Sequence, residues 1–131
     1  VDWLVLNNGF QAASDQTALS QDLSNKSLML FGAWGTNLII EKYRRDIPIE
    51  VYPDRIEADK TYMGTDLRIA LCLPNPLNPK LGMCIYTAQS AEAMQRSNAI
   101  DHRQKDWCVS DSHLEVLDCG SFKDKDEHWR F

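Results

Sequence analysis

The sequence has no stretch approaching the roughly 18 apolar residues that a membrane-crossing helix needs. Its apolar runs are of strand length, as at Leu28 to Phe31, so no membrane span is expected. Positive charge is not in excess either: 14 Lys and Arg stand against 19 Asp and Glu, a net charge of −5. A surface of that sign repels phosphate backbones, which argues against a nucleic-acid partner. There are only four cysteines, Cys72, Cys84, Cys108 and Cys119, with no C-x-x-C pair, and the three histidines, His102, His113 and His128, do not stand at metal-ligand intervals from them. No metal and no cofactor are expected. The sequence also lacks a G-x-S-x-G elbow, a G-x-G-x-x-G turn and a P-loop, so no catalytic residue is assigned.

What is present suits one compact domain. The 131 residues are 44% hydrophobic and 25% charged, ordinary globular usage with enough chain for its own core. The chain opens at Val1 with neither an initiator Met nor the basic n-region of a signal peptide. It therefore reads as a single α/β domain over 1–131 cut from a longer polypeptide.

Local patterns place the elements. Val1 to Leu6 reads as a first strand ending at Asn7-Asn8-Gly9, and a helix capped by Ser14 or Asp15 is expected to run toward Leu23. Leu28 to Phe31 reads as a buried strand. The turn from Gly32 leads to an amphipathic helix near 37–45, capped by Thr36 or Asn37, with Arg44 and Arg45 where the helix dipole favours positive charge. Two small strands are expected at 49–52 and 55–58 around Pro53-Asp54, with a further one at 61–63. Strong strands follow near 67–73 and 82–87, separated by Pro74-Asn75-Pro76-Leu77-Asn78-Pro79, read as a rigid ordered loop. A helix capped by Ser90 is predicted near 89–98, and two last strands near 107–110 and 114–117. If the strands around the proline loop pair as a hairpin, Cys72 and Cys84 lie opposite each other, each six residues from Asn78, which leaves room for a disulfide. By the same counting Cys108 and Cys119 could meet, and buried free thiols are the plainer reading of all four. Strand, turn and helix in sequence, twice over, predict a mixed, mainly parallel sheet flanked by helices, Rossmann- or flavodoxin-like, with a small C-terminal β element.

In such a fold, ligands settle at the carboxyl edge of the sheet. The turns at 32–37 and 87–90 share that edge if their strands are parallel, which makes Trp34, Gly35, Thr36, Asn37, Gln89 and Ser90 the candidate ligand-binding rim. The N-H groups of the helix start would hold an anion or small ligand; the plainer alternative is a pair of tight structural turns with their caps. Of the tryptophans, Trp107 alternates with Val109 as a core residue would, whereas Trp34 is flanked by glycine-bearing turn residues. The charge run in the tail, with Asp124, Asp126 and Glu127, reads as a solvated face.

Three stretches, Leu28-Met29-Leu30-Phe31-Gly32-x-x-Gly35-Thr36-Asn37, Pro74-Asn75-Pro76-Leu77-Asn78-Pro79 and Gly120-x-Phe122-x3-Asp126-x2-Trp129-Arg130, resemble in order and spacing the C-terminal ancillary region of large bacterial α/β-hydrolase-type proteins, the prolyl-oligopeptidase-like peptidases and esterases. The resemblance spans roughly residues 25 to 131. It implies a non-catalytic accessory domain serving domain packing, assembly or substrate presentation, with the hydrolase domain of the same polypeptide or another protein as partner. It also implies an extracytoplasmic or secreted location. No catalytic residue is carried over, since the nucleophile of such proteins would lie upstream. The alternatives are a small-ligand or anion-binding domain using the two turns, and a free-standing hydrolase with an unrecognised site.

Overall fold

The computed structural model describes residues 11–95, 104–123 and 131. The expected strand over Val1 to Leu6, the end of the helix predicted to reach Asn98, and the tail residues 124–130 lie outside the described residues. Among the described residues there are eight strands: β1 Leu28–Phe31, β2 Glu50–Tyr52, β3 Arg55–Glu57, β4 Thr61–Met63, β5 Arg68–Asn75, β6 Asn78–Ala88, β7 Trp107–Ser110 and β8 Val116–Gly120. The described helices are short, α1 Asp15–Ala18, α2 Leu38–Lys42 and α3 Ala91–Met94, with a 3-10 turn over Arg44–Asp46.

The α/β, Rossmann-like expectation is thus overturned: among the described residues the protein is mainly β, with α-helices of only four or five residues. The five-stranded sheet has the order β1-β6-β5-β7-β8, and a separate three-stranded sheet the order β2-β3-β4. Only β1 and β6 run parallel; β5 to β6, β5 to β7 and β7 to β8 are antiparallel. The reason lies in the connection between β5 and β6. The proline segment is a hairpin, with strand pairing continuing to Asn75 opposite Asn78. Two intervening residues can join only antiparallel neighbours, whereas a parallel crossover takes a dozen residues or more.

Proline survives in this hairpin because of its position. Pro74 sits opposite Gly82 beside a register shift, in the part of β5 beyond its pairing with β7, which covers Arg68 to Leu71. A missing N-H there breaks no central ladder. The asparagines then do the fastening. Asn75, fully buried, donates from Nδ2 to the carbonyls of Leu23 at 2.8 Å and Lys26 at 2.9 Å, and its Oδ1 accepts from Leu77 N-H at 2.9 Å. Asn78 Nδ2 donates to Ser24 O at 3.0 Å. The segment 23–26, which feeds β1, is held in place by the hairpin.

Alternation gives the five-stranded sheet its two faces. Leu30, Ile69, Leu71, Leu73, Met83, Ile85, Trp107 and Val109 form the core face, buried with Ile39, Ile40 and Tyr43 from the α2 region and Val51 and Ile56 from the small sheet. Phe31 stacks on Tyr86 on the opposite face, ring centroids 4.7 Å apart. Trp107 meets Phe131 edge-on at 5.3 Å, and Phe131 in turn meets Phe122. Gly120 is required beneath this aromatic group, because a Cβ there would lie 2.7 Å from the Trp107 ring.

The expected helices shrink for local reasons. Ser14 caps α1 through Thr17 N-H, but α1 stops at Ala18 and buries no residue, so nothing extends it toward Leu23. The apolar face predicted for 37–45 is real, with Ile39 and Ile40 buried, but it serves one turn and a half. The strands at 28–31 and 107–110 fall where expected, and the 49–63 region forms the predicted small strands.

Candidate functional site

Among the described residues, β1 has a neighbour in the five-stranded sheet on one side only, β6. Its other edge faces a cleft of about 740 Å³, whose walls include Ala12, Ala18, Lys26, Met29, Phe31 and Thr36. Backbone direction along β1 follows from its bonds to β6. Gly32 N-H donates to Tyr86 O at 3.2 Å and Trp34 N-H to Ala88 O at 3.0 Å, so the even-numbered residues address β6. The N-H and C=O groups of Met29 and Phe31 therefore point into the cleft. Phe31 O already accepts from Asn37 Nδ2 at 3.0 Å. The Met29 pair and the Phe31 N-H form an edge that no described residue extends, and such an edge is a template for another strand.

The six residues of the predicted rim are gathered where the topology argument placed them, because β1 and β6 are parallel and both turns leave the same end of the sheet. The side chains of Thr36, Asn37, Gln89 and Ser90 are engaged within the chain, whereas Trp34 Nε1 is buried without a hydrogen-bond partner among the described residues. Asn37 caps α2, its Oδ1 accepting from Ile39 N-H at 2.9 Å and Ile40 N-H at 3.1 Å. Leu38 N-H, the remaining donor of that turn, goes to Asp15 Oδ2 at 2.8 Å. The helix start thus already holds a carboxylate from this chain, and the Leu38 bond above all keeps the Asp15 carboxyl below its usual range. Thr36 Oγ1 donates to Ala33 O at 2.7 Å. Gly35 takes φ +82 with open space around it, so its role is conformational. Ser90 caps α3 through Ala93 N-H.

Gln89 is a clamp between sheets. Its Nε2 donates to Tyr52 O at 2.8 Å and Gly64 O at 2.6 Å, while its Oε1 accepts from Leu67 N-H at 2.7 Å. Trp34 is half-buried against the core, with the Arg44 guanidinium 5.1 Å from its ring centre. Arg44 also grips Glu50, Nη2 to Oε2 at 2.7 Å and Nε to Oε1 at 3.1 Å. That bond, with the Trp34 side chain contributing less, holds the Glu50 carboxyl below its usual range against the effect of burial.

A second polar cluster lies across the two sheets. Tyr62 Oη is 3.0 Å from Asp59 Oδ1 and 3.0 Å from Asp118 Oδ2, and Lys60 Nζ is 2.9 Å from the same Asp118 oxygen. Burial first, then the two carboxylates, raise the Tyr62 hydroxyl far above its ordinary range, while Lys60 first of all lowers Asp118. The arrangement ties β4 to β8 and offers no poised base. Among the described residues no group of three or more His, Cys, Asp or Glu could hold a metal ion, and no helix is long and apolar enough to cross a membrane.

Sequence reasoning did not identify Met29 and Phe31, whose contribution is backbone, nor Asp15 as the partner of Leu38, 23 residues away. The available signal was the four-residue run of β1 itself, an apolar strand whose neighbours the sequence does not specify. No family model, curated protein or solved structure matches the chain.

Proposed function

We propose that the protein is a non-catalytic accessory module that receives an extended peptide segment as an added strand along the open edge of β1. The observation that carries this reading is the direction of the Met29 and Phe31 backbone groups into the 740 Å³ cleft. Strand addition draws affinity from main-chain hydrogen bonds and specificity from alternate side chains seated beside the edge. The cleft suits that division: its walls are mostly small or apolar side chains, with Lys26 and Asp15 as the charged members. Assignment of the partner to a hydrolase rests on the resemblance of the three sequence stretches alone.

The test is selection of a random peptide phage library on the whole chain, followed by binding of the selected peptides to Met29→Pro. Proline removes the edge N-H and is tolerated where that N-H leaves the sheet, so the variant keeps its fold, as checked by circular dichroism. Selected peptides are expected to alternate apolar residues and to lose at least tenfold in affinity for Met29→Pro. A selection without binders, or binders indifferent to the proline, refutes the reading.

A further inference from the structure

The four cysteines occupy equivalent places in the five-stranded sheet. Cys72 is the register partner of Cys84, and a disulfide joins them. Cys108 is the register partner of Cys119 on the next antiparallel pair, β7 and β8, and both are thiols. The two positions are of the same kind. Cys72 N-H donates away from β6, to Asp106 O at 2.7 Å on the β7 side, so Cys72 and Cys84 form a non-hydrogen-bonded antiparallel pair. Cys108 lies opposite Ala70 in the β5 to β7 ladder, two residues along each strand from the Cys72 to Asp106 bond. Its backbone therefore addresses β5, and Cys108 and Cys119 also form a non-hydrogen-bonded pair. That is the closer of the two antiparallel spacings, with Cα atoms about 4.5 Å apart and the side chains standing together. Directly opposite residues share a face, and so do alternate residues of one strand. All four cysteines consequently project from one face in a row across β6, β5, β7 and β8.

We propose that Cys108 and Cys119 are a disulfide site, closing a second cross-strand bond beside Cys72–Cys84 and fastening β8 to β7. Cys119 is half-buried and Cys108 fully buried, which sets the order of the chemistry. The Cys119 thiolate attacks a small-molecule disulfide such as oxidised glutathione, forming a mixed disulfide and releasing one glutathione thiolate. The Cys108 thiolate then attacks Cys119 Sγ, forms the new S–S bond and expels the second glutathione. The two protein thiols are oxidised, one glutathione disulfide is reduced to two thiols, and the two protons pass from the cysteines to the glutathiones. β8 is an edge strand whose Asp118 holds Lys60 and Tyr62 of the small sheet. Fastening it to β7 therefore also secures the contact between the sheets.

The experiment equilibrates the whole chain with oxidised glutathione, quenches with acid, unfolds the protein, alkylates it with N-ethylmaleimide and maps the linked peptides by mass spectrometry. The expected result is a fall from two alkylated thiols per chain to none, with 72–84 and 108–119 links. Cys108→Ser should halt the reaction, leaving glutathione on Cys119. Alkylation persisting at Cys108 and Cys119, or links that cross the pairs, overturns the proposal, as does Cys108→Ser that carries no glutathione.

Discussion

Replacing Asn75 is the sharpest test of how this fold is held. Its side chain makes three hydrogen bonds at 2.8, 2.9 and 2.9 Å, two of them to carbonyls of the segment that leads into β1. A buried hydrogen bond contributes about 1 kcal/mol net, so Asn75→Ala should cost about 3 kcal/mol. With an unfolding entropy of about 2.1 cal/mol/K per residue, 131 residues give about 0.28 kcal/mol/K, and the loss in Tm should be about 11 °C. Asn78→Ala gives up one bond to Ser24 O and one from Lys80 N-H; at a less buried place, about 0.5 kcal/mol each, the loss should be about 4 °C. Asn75→Asp distinguishes hydrogen bonding from packing. It keeps the acceptor for Leu77 but turns a carboxylate toward two carbonyl oxygens in a buried site, so at neutral pH it should be worse than Ala. Acid should narrow that difference, because a protonated carboxyl regains one donor. Thermal melts followed by circular dichroism at pH 7 and pH 4 decide the matter. An Asn75→Ala loss below about 4 °C, or an Asp variant as stable as the Ala variant at neutral pH, would refute the reasoning.

Two further outcomes follow from polar groups placed between elements. Gln89→Ala gives up three short bonds that join Tyr52, Gly64 and Leu67, and should lower urea stability by about 2 to 3 kcal/mol; a loss within 0.5 kcal/mol, roughly that of an ordinary surface change, would remove its role as a clamp. Glu50 has a folded pKa below its unfolded one because of Arg44, so its contribution is complete above the ordinary carboxylate pKa of about 4.3 and is lost as pH falls through the depressed value. The Tm difference between wild type and Arg44→Met should hold steady down to about pH 5 and narrow below it; a difference unchanged to pH 3 contradicts the pairing.

Elements whose causes are local were legible in the sequence. Leu28 to Phe31 and Trp107 to Val109 declare themselves by unbroken apolar content, and Ser14, Asn37 and Ser90 cap the helices from positions the chain itself marks. What failed was the inference from strand, turn and helix to a parallel, helix-covered sheet. α2 is five residues long and α3 four, too short for crossovers that cover a sheet. The proline segment misled for a different reason. Three prolines in six residues forbid a regular interior, but Pro74 and Pro79 fall at strand ends, where the missing N-H costs little. Counting from Asn78 nevertheless found the Cys72 to Cys84 pair. The tight end of the hairpin, Asn75 opposite Asn78, would by itself set Cys72 opposite Leu81; the register shift after Pro74 moves the partner three residues on, to Cys84. A bulge of that size is invisible to pattern reading.

The candidate site shows why location was easier to read than chemistry. Parallel pairing of β1 with β6 does bring the 32–37 and 87–90 segments to one end of the sheet, as Trp34 N-H on Ala88 O demonstrates, although Thr87 and Ala88 still belong to β6. Yet the amide and hydroxyl side chains there meet demands made by the fold first: Asn37 satisfies a helix start, Gln89 joins two sheets and Ser90 caps the next turn. A helix N-terminus attracts a negative group, and Asp15, carried by a different element, supplies it from within the chain. Among the described residues, the backbone N-H and C=O of Met29 and the N-H of Phe31 are the groups that the proposed strand addition would use. Their exposure depends on which strand lies beside β1 and on which side, a property of topology rather than of residue type. A sequence reading weighted toward reactive side chains passes over such an edge, and the Met29→Pro experiment is decisive because it alters that backbone group while leaving every capping residue in place.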